Sequence, residues 1–287
     1  MKKILITGIS GQIGSSLLRQ IDELFSSEDE IFLLKHHTQI FLPSNTLLDF
    51  RIIDIIDGYY DLAIHLAANS DIAYCQDLHN KNSVWKQNVT FTQEVCNAAR
   101  QVILVSTDYV FNGNLQPGQT FTEYGKKNPL NVYGQTKAEA EDIVLSCGGI
   151  VLRVETMMGA KNKIIDAAKK AIEGTDPDYR PFWTNNFIRP SYFPDFLKVL
   201  KKVIHTKGPA IYHVSCEGDA LSRSEMAAIV LDVYKEKGWK RVLDSLRSEE
   251  AAETKRFVLD TQKTKKELDV EFTDSRKAVR NHVLKQI

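Results

Sequence analysis

The stretch "TGISGQIGSSL", residues 7–17, constrains this chain more than any other. It sets Gly8, Gly11 and Gly14 at three-residue spacing, directly after the apolar run "KKILI". The segment that follows carries Ile13, Leu17, Leu18, Ile21, Leu24 and Phe25 on one helical face. A strand, a glycine turn and an amphipathic helix in that order predict the phosphate-binding corner of a dinucleotide fold. One glycine permits the tight turn, another lets the backbone approach a pyrophosphate, and the third lets helix and strand pack closely. The helix amino terminus then offers free amides to the phosphates. Gly8, Ser10, Gly11, Gln12, Ile13 and Gly14 are the cofactor contacts named by this pattern.

Downstream, "EIFLLK", "YDLAIHLAA", "QVILVSTD" and "GIVLRVE" read as strands, some near-continuously apolar as strands covered on both faces are. The helical patterns "VWKQNVTFTQEVCNAAR" and "YGQTKAEAEDIVLSC" lie between them. This alternation predicts an α/β fold, a doubly wound parallel sheet. After Glu155 the rhythm changes, and "TDPDYRPFWTNNFIRPSYFP" reads as a long functional loop. Ser222 and Glu225 stand at capping-box spacing and start a helix. The expected organisation is an NAD(P)-binding Rossmann domain over 1–155, a return segment near 186–215, and a smaller α/β substrate lobe over 156–287.

The chain has 287 residues, enough for two such units. Its 37 basic and 37 acidic residues balance, so no charge excess draws it to nucleic acid or an anionic membrane. No run approaches the roughly 20 apolar residues of a membrane span. Cys75, Cys96, Cys147 and Cys216 have neither metal-ligand nor redox spacing, and read as free thiols of a cytoplasmic protein. No His, Cys and carboxylate cluster calls for a metal.

An NAD-selective fold ends its second strand on an acidic residue that takes the ribose 2'-hydroxyl. Here Lys35 stands at that place, followed by His36 and His37. No carboxylate repels a 2'-phosphate and a cation is ready to pair with one, so the expected cofactor is NADP(H). Asp49 is a candidate to end the third strand and reach the adenine, and Asp54 competes for that role.

"NVYGQTKAEAE" places Tyr133 and Lys137 four apart at a helix start, on one face. An ammonium near a phenol favours phenolate and lowers the tyrosine's pKa. Tyr133 then reads as proton donor to a carbonyl oxygen as hydride reaches its carbon, with Lys137 also holding the nicotinamide ribose. A surface amphipathic pair has the same spacing. What lifts this one is its place, one strand-loop-helix unit after "VSTDYVFNG". Ligands of a doubly wound sheet collect at the carboxyl ends of strands. Thr107 and Tyr133 converge there, with Ser106 turned to the opposite side by strand alternation.

Together, the glycine turn, "HLAA" (His65 to Ala68), Asn88, "STDYVFNG" and "NVYGQTKAEAE" resemble an extended short-chain dehydrogenase/reductase. The last two are similar to the dTDP-4-dehydrorhamnose reductase family and its relatives, which include an NADP-binding regulatory subunit of methionine adenosyltransferase. The resemblance is strong through the N-terminal half and weaker through "LRVETMMG", "FIRPSYFPDF" and "FVLDTQKT". It implies Tyr133 as acid/base, Lys137 as its lysine and Thr107 as its hydroxyl partner. It also implies cofactor contacts at Leu66, Ala67, Ala68 and Asn88, and substrate contacts at Asp108 and Val110. His65 is given no catalytic role.

Two departures stand out. Where many reductases of this group read "LR-SW-YG", this chain has Thr156 in place of the tryptophan, then Met157 and Met158. A loop that often reads "DQ-G-PT" is replaced by "NNFIRPSY", with Trp183 and Arg189 as sugar or phosphate contacts. Arg189 stands equally as a structural ion pair.

The expected function is NADPH-dependent reduction of a nucleotide-activated 4-keto-6-deoxy sugar. A dehydratase needs a glutamate after the aspartate of "STD", where this chain has Tyr109, and an epimerase keeps an acid where Lys35 stands. A non-catalytic NADP-binding regulatory subunit is the alternative from another class. Oligomeric state is open, with a homodimer common for this fold.

Overall fold

The computed structural model describes residues 1–35, 42, 46, 48–159, 162–239 and 245–287; His36 and His37 lie outside them. The apolar run that opens the chain forms β1 (Lys3–Thr7), and α1 (Gln12–Leu18) follows the glycine turn. Next come β2 (Glu30–Leu34), β3 (Asp49–Ile53) and β4 (Leu62–His65). Helices α2 (Ile72–Gln76), α3 (Lys81–Trp85) and α4 (Phe91–Ala98) lead to β5 (Val102–Thr107). Residues 84–100 read as one helix in the sequence. They wind through a π-helical turn at Lys86–Thr90, a widening often found at functional sites. Then α5 (Val132–Ser146) leads to β6 (Ile150–Val154).

The second half contains β7 (Met157–Met158), α6 (Lys163–Glu173), β8 (Phe182–Trp183), β9 (Asn186–Ile188) and β10 (Ser191–Tyr192). It continues with α7 (Phe193–Val203), β11 (Ala210–Val214), β12 (Leu221–Ser222) and α8 (Arg223–Glu236). It closes with β13 (Ser248–Glu249), β14 (Lys255–Phe257), α9 (Gln262–Leu268) and α10 (Ser275–Leu284).

Seven strands form one parallel sheet in the order β11-β6-β5-β4-β1-β2-β3. Alternation assigns its two faces. Ile4, Ile6, Ile103 and Leu152 pack under α1 and α7 with Leu17, Phe196 and Leu200. Leu5, Ala63, Leu104 and Val151 pack under α4 and α5 with Val95, Ala140 and Val144. The strand order reverses between β1 and β4, and the register aligns Thr7 with His65 there. This is the switch point where such sheets bind ligands.

A second apolar cluster joins α6, α8 and α10 to β9, β12 and β14 through Ile165, Ile188, Leu221, Val230, Phe257 and Val279. The expected capping box starts α8: Ser222 Oγ accepts from the Glu225 amide, and Glu225 Oε2 accepts from the Ser222 amide. The chain does not stay in this second layer. Helix α7 and β11 return to the seven-stranded sheet, and Leu268, Val270 and Phe272 join its core.

Arg153 of β6, 1% exposed, forks onto the Glu141 carboxylate of α5 at 2.9 and 2.8 Å. It also donates to the Glu123 carbonyl and stacks over Phe111. Removing one charge strands the other in the core. We expect Glu141→Ala to cost about 3–5 kcal/mol of stability by denaturant unfolding, with Glu141→Leu/Arg153→Met recovering most of it.

Candidate active site

Three backbone segments meet at the switch point. Gly8 has φ 71°, and a Cβ on it would lie 2.4 Å from the Ala67 nitrogen. A Cβ on Gly14 would lie 2.3 Å from the Gly8 carbonyl oxygen. The turn closes through the Gly11 amide, which donates to Gly8 O at 3.0 Å. A side chain at Gly8 or Gly14 would push β1, α1 and the Leu66–Ala67 segment apart.

Beside this corner lies a cavity of about 1350 Å³. Gly8, Ser10, Gly11, Lys35, Asp54 and Leu66 to Asn69 line it, together with Lys86 and Gln87. Its size and glycine floor fit a dinucleotide. Gly8, Ser10 and Gly11 would hold the pyrophosphate, and Lys35 and Asp54 would flank the adenosine. Gln12 and Ile13 are not in the wall: Gln12 is exposed at the start of α1, and Ile13 packs against the core. Asp49 is at the wrong end of its strand. It opens β3 opposite Glu30, whereas Ile53 pairs with Leu34 at the ligand-facing edge, so of the two candidates it is Asp54 that reaches the cavity.

One strand over, β5 ends on Thr107. Its hydroxyl donates to Asp108 Oδ1 at 2.9 Å and accepts from the Tyr109 amide, and it is close enough to Tyr133 to lower the phenol's pKa. Tyr133 is in the first turn of α5, where a Cβ on Gly134 would lie 2.2 Å from the Tyr109 carbonyl oxygen. That close approach seats the tyrosine against the strand end. Ser106 Oγ faces away, buried and without a hydrogen-bond partner among the described residues.

The electrostatics differ from expectation. Lys137, 2% exposed, donates its Nζ to the Val105 carbonyl at 2.8 Å. Burial lowers its pKa to about 8, with Glu141 opposing. Tyr133 is pushed up, first by burial and then by the Asp108 carboxylate, and only Thr107 works against the rise. The tyrosine is therefore not depressed on balance, because the phenol's own desolvation dominates. Burial also raises Asp108 to about 7. Glu155, just past β6, is raised by burial and then by Asp108. It accepts hydrogen bonds from the Ser215 hydroxyl and the Leu259 and Arg189 amides.

Tyr109 packs edge-on to Tyr133, at 6.2 Å, and against Phe257. Burial and then Asp108 raise the Tyr109 pKa, and the Arg223 guanidinium, stacked 4.4 Å over Trp183, works against that rise. Val110 is not a substrate contact: its side chain is wholly buried with Phe111, Ala138 and Leu259. Arg189 lines a separate cavity of about 330 Å³ with Thr120, Glu217 and Asp260, and its Nε is buried without a partner among the described residues. No group of three or more potential metal ligands gathers among the described residues.

Sequence reasoning missed Arg223, Glu155 and Lys86. Glu155 ends a strand at the ligand-bearing edge, which is a usable signal. Arg223 meets Trp183 only through tertiary folding.

Over residues 1–287 the chain matches the family described as RmlD substrate binding domain, and it belongs to that family. The spore coat polysaccharide biosynthesis protein SpsK of Bacillus subtilis (strain 168) is 26% identical over 257 residues, 87% of this chain and 84% of that one. Methionine adenosyltransferase 2 subunit beta of Danio rerio is 25% identical over 251 residues, 81% and 74%. In fold, the chain is similar to dTDP-4-dehydrorhamnose reductase from Bacillus anthracis str. Ames, solved in complex with NADP. That likeness has a TM-score of 0.78 and 19% identity, and it covers all of both chains.

The cradle predicts a graded response in NADPH binding, read by cofactor fluorescence. Gly14→Ala is expected to weaken binding about tenfold, the effect of overpacking by 1–3 kcal/mol. Asp54→Asn weakens it, and Asp49→Asn leaves it unchanged.

Proposed function

We propose that this member of the RmlD substrate binding domain family is an NADPH-dependent reductase of a nucleotide-activated 4-keto-6-deoxy sugar. The observation that carries the reading is the convergence of Thr107 and Tyr133, with Lys137 buried behind them, on the strand beside the glycine-floored cavity. The exposed Lys35 at the end of β2 supports the phosphorylated cofactor, since its side chain has no partner among the described residues.

A bound nicotinamide supplies the hydride. Tyr133 hands its proton to the ketone oxygen as charge develops there. Burial and Asp108 keep the phenol protonated until that moment, which suits an acid in the reducing direction. Thr107 orients both the phenol and the ketone oxygen, and the Lys137 ammonium offsets the charge left on Tyr133. Trp183 and Arg223 offer a flat apolar surface and a cation to the nucleotide portion.

A second reading, a cofactor-binding regulatory subunit, draws on the similarity to methionine adenosyltransferase 2 subunit beta. Loss of NADPH absorbance on mixing with dTDP- and UDP-linked 4-keto-6-deoxy sugars separates the two. Tight NADPH binding with no turnover on any of them would sink the reductase.

Two outcomes are expected. Tyr133→Phe loses about 10²–10⁴ in kcat with NADPH binding intact. Asp108 is neutral below about 7 and becomes a carboxylate above it, beside the oxygen that gains negative charge. The kcat/KM therefore falls as pH rises through about 7, and Asp108→Asn flattens that limb.

A further inference from the structure

A buried chain of hydrogen bonds leads from the cofactor cavity to the helix that carries Tyr133. It starts at Ala67, in the cavity wall, whose amide donates to Thr7 Oγ1 at 3.3 Å. Thr7 Oγ1 lies 2.7 Å from His65 Nδ1, and His65 Nε2 lies 3.0 Å from Thr92 Oγ1. The Thr92 hydroxyl donates to the Asn88 carbonyl at 2.7 Å.

These contacts fix the tautomer. Thr92 has one proton and gives it to Asn88, so it accepts from His65 Nε2–H. Nδ1 then carries no proton and accepts from the Thr7 hydroxyl. Every donor from Ala67 to Asn88 points the same way, an arrangement in which each bond polarises the next.

Asn88 carries the chain onward from the π-helical turn. Its Oδ1 accepts from the Asn69 amide at 2.7 Å, and its Nδ2 donates to Asn69 O and to Thr136 Oγ1 at 2.9 Å. The Thr136 hydroxyl donates to the Tyr133 carbonyl at 2.8 Å. His65 is wholly buried and edge-on to Phe91 at 5.4 Å. Burial, and then the Lys137 charge, hold its pKa near 3, so it is neutral at any working pH and acts as neither acid nor base.

We infer that His65 and Thr92 are positioning residues that pass the seating of a dinucleotide against Ala67 to the first turn of α5 and so to Tyr133. The inference deepens the reductase reading, on which its kinetic arm rests; its structural arm needs only NADPH binding.

Thr92→Val removes the His65-to-Asn88 link at constant side-chain shape and leaves the direct Asn69–Asn88 bonds in place, and Thr92→Ser restores the hydroxyl. Unfolding temperatures establish that both variants are folded. Hydrogen exchange of the α5 amides 133–138 is measured with and without NADPH. In the unaltered chain and Thr92→Ser, NADPH slows exchange there. In Thr92→Val that slowing is lost, although NADPH affinity stays within about threefold, and kcat on the keto sugar falls about tenfold at unchanged KM, the mark of a mispositioned group. An NADPH response in Thr92→Val equal to that of the unaltered chain would overturn the inference. So would a Thr92→Ser variant that behaves like the valine. If no keto sugar is turned over by the unaltered chain, the reductase reading fails, while the exchange comparison still decides the role of His65 and Thr92.

Discussion

At Gly8 and Gly14, three backbones approach so closely that a single methyl group would separate them. The end of β1, the start of α1 and the Leu66–Ala67 segment are located by that contact, and most of the molecule is located by them. The contact sets how α1 lies on the Ile4 and Ile6 face, and it brings Thr7 level with His65. It also leaves a floor of bare backbone where a pyrophosphate fits. The parallel register then carries the same edge across to Thr107 and Val154, so a constraint at one turn determines where the chemistry of a distant helix is aimed.

The polar groups at that edge share one dominant influence. Desolvation raises Tyr133, Asp108 and Glu155 and lowers Lys137 and His65. Each shift favours the uncharged form, and the hydrogen bonds from Thr107, Ser215 and the backbone only temper it. The acids of such a site keep their protons until a substrate develops charge within it. It differs from the expectation of a tyrosine primed by an adjacent ammonium.

Much of this was legible. The glycine spacing, the apolar strand runs and the Ser222/Glu225 pair are local patterns enforced by local physics, and they appear where expected. Thr107 and Tyr133 were placed by combining two such patterns with the rule for parallel sheets. What was not legible depended on boundaries or on tertiary contact. "LLDFRIIDIID" offers Asp49 and Asp54 and no sharp strand limit, so the sequence leaves the two as rivals. Val110 follows the strand so closely that its turn into the core left no trace in the pattern. The partner of Lys137 is a backbone carbonyl, which no side-chain motif encodes. Trp183 and Arg223 are 40 positions apart and meet only because β8 and α8 pack together.

The outer edge of the main sheet has a consequence for synthesis. Strand β11, made about sixty residues after β6, pairs with β6 along its whole length, and His213 meets the Arg153 guanidinium across that pair. Until residues 210–214 leave the ribosome, an apolar strand is open along one side beside an arginine whose surroundings are incomplete. An exposed strand edge of that kind invites pairing with other chains. The interval between the two strands is therefore the stage at which the nascent chain most needs either speed or a chaperone.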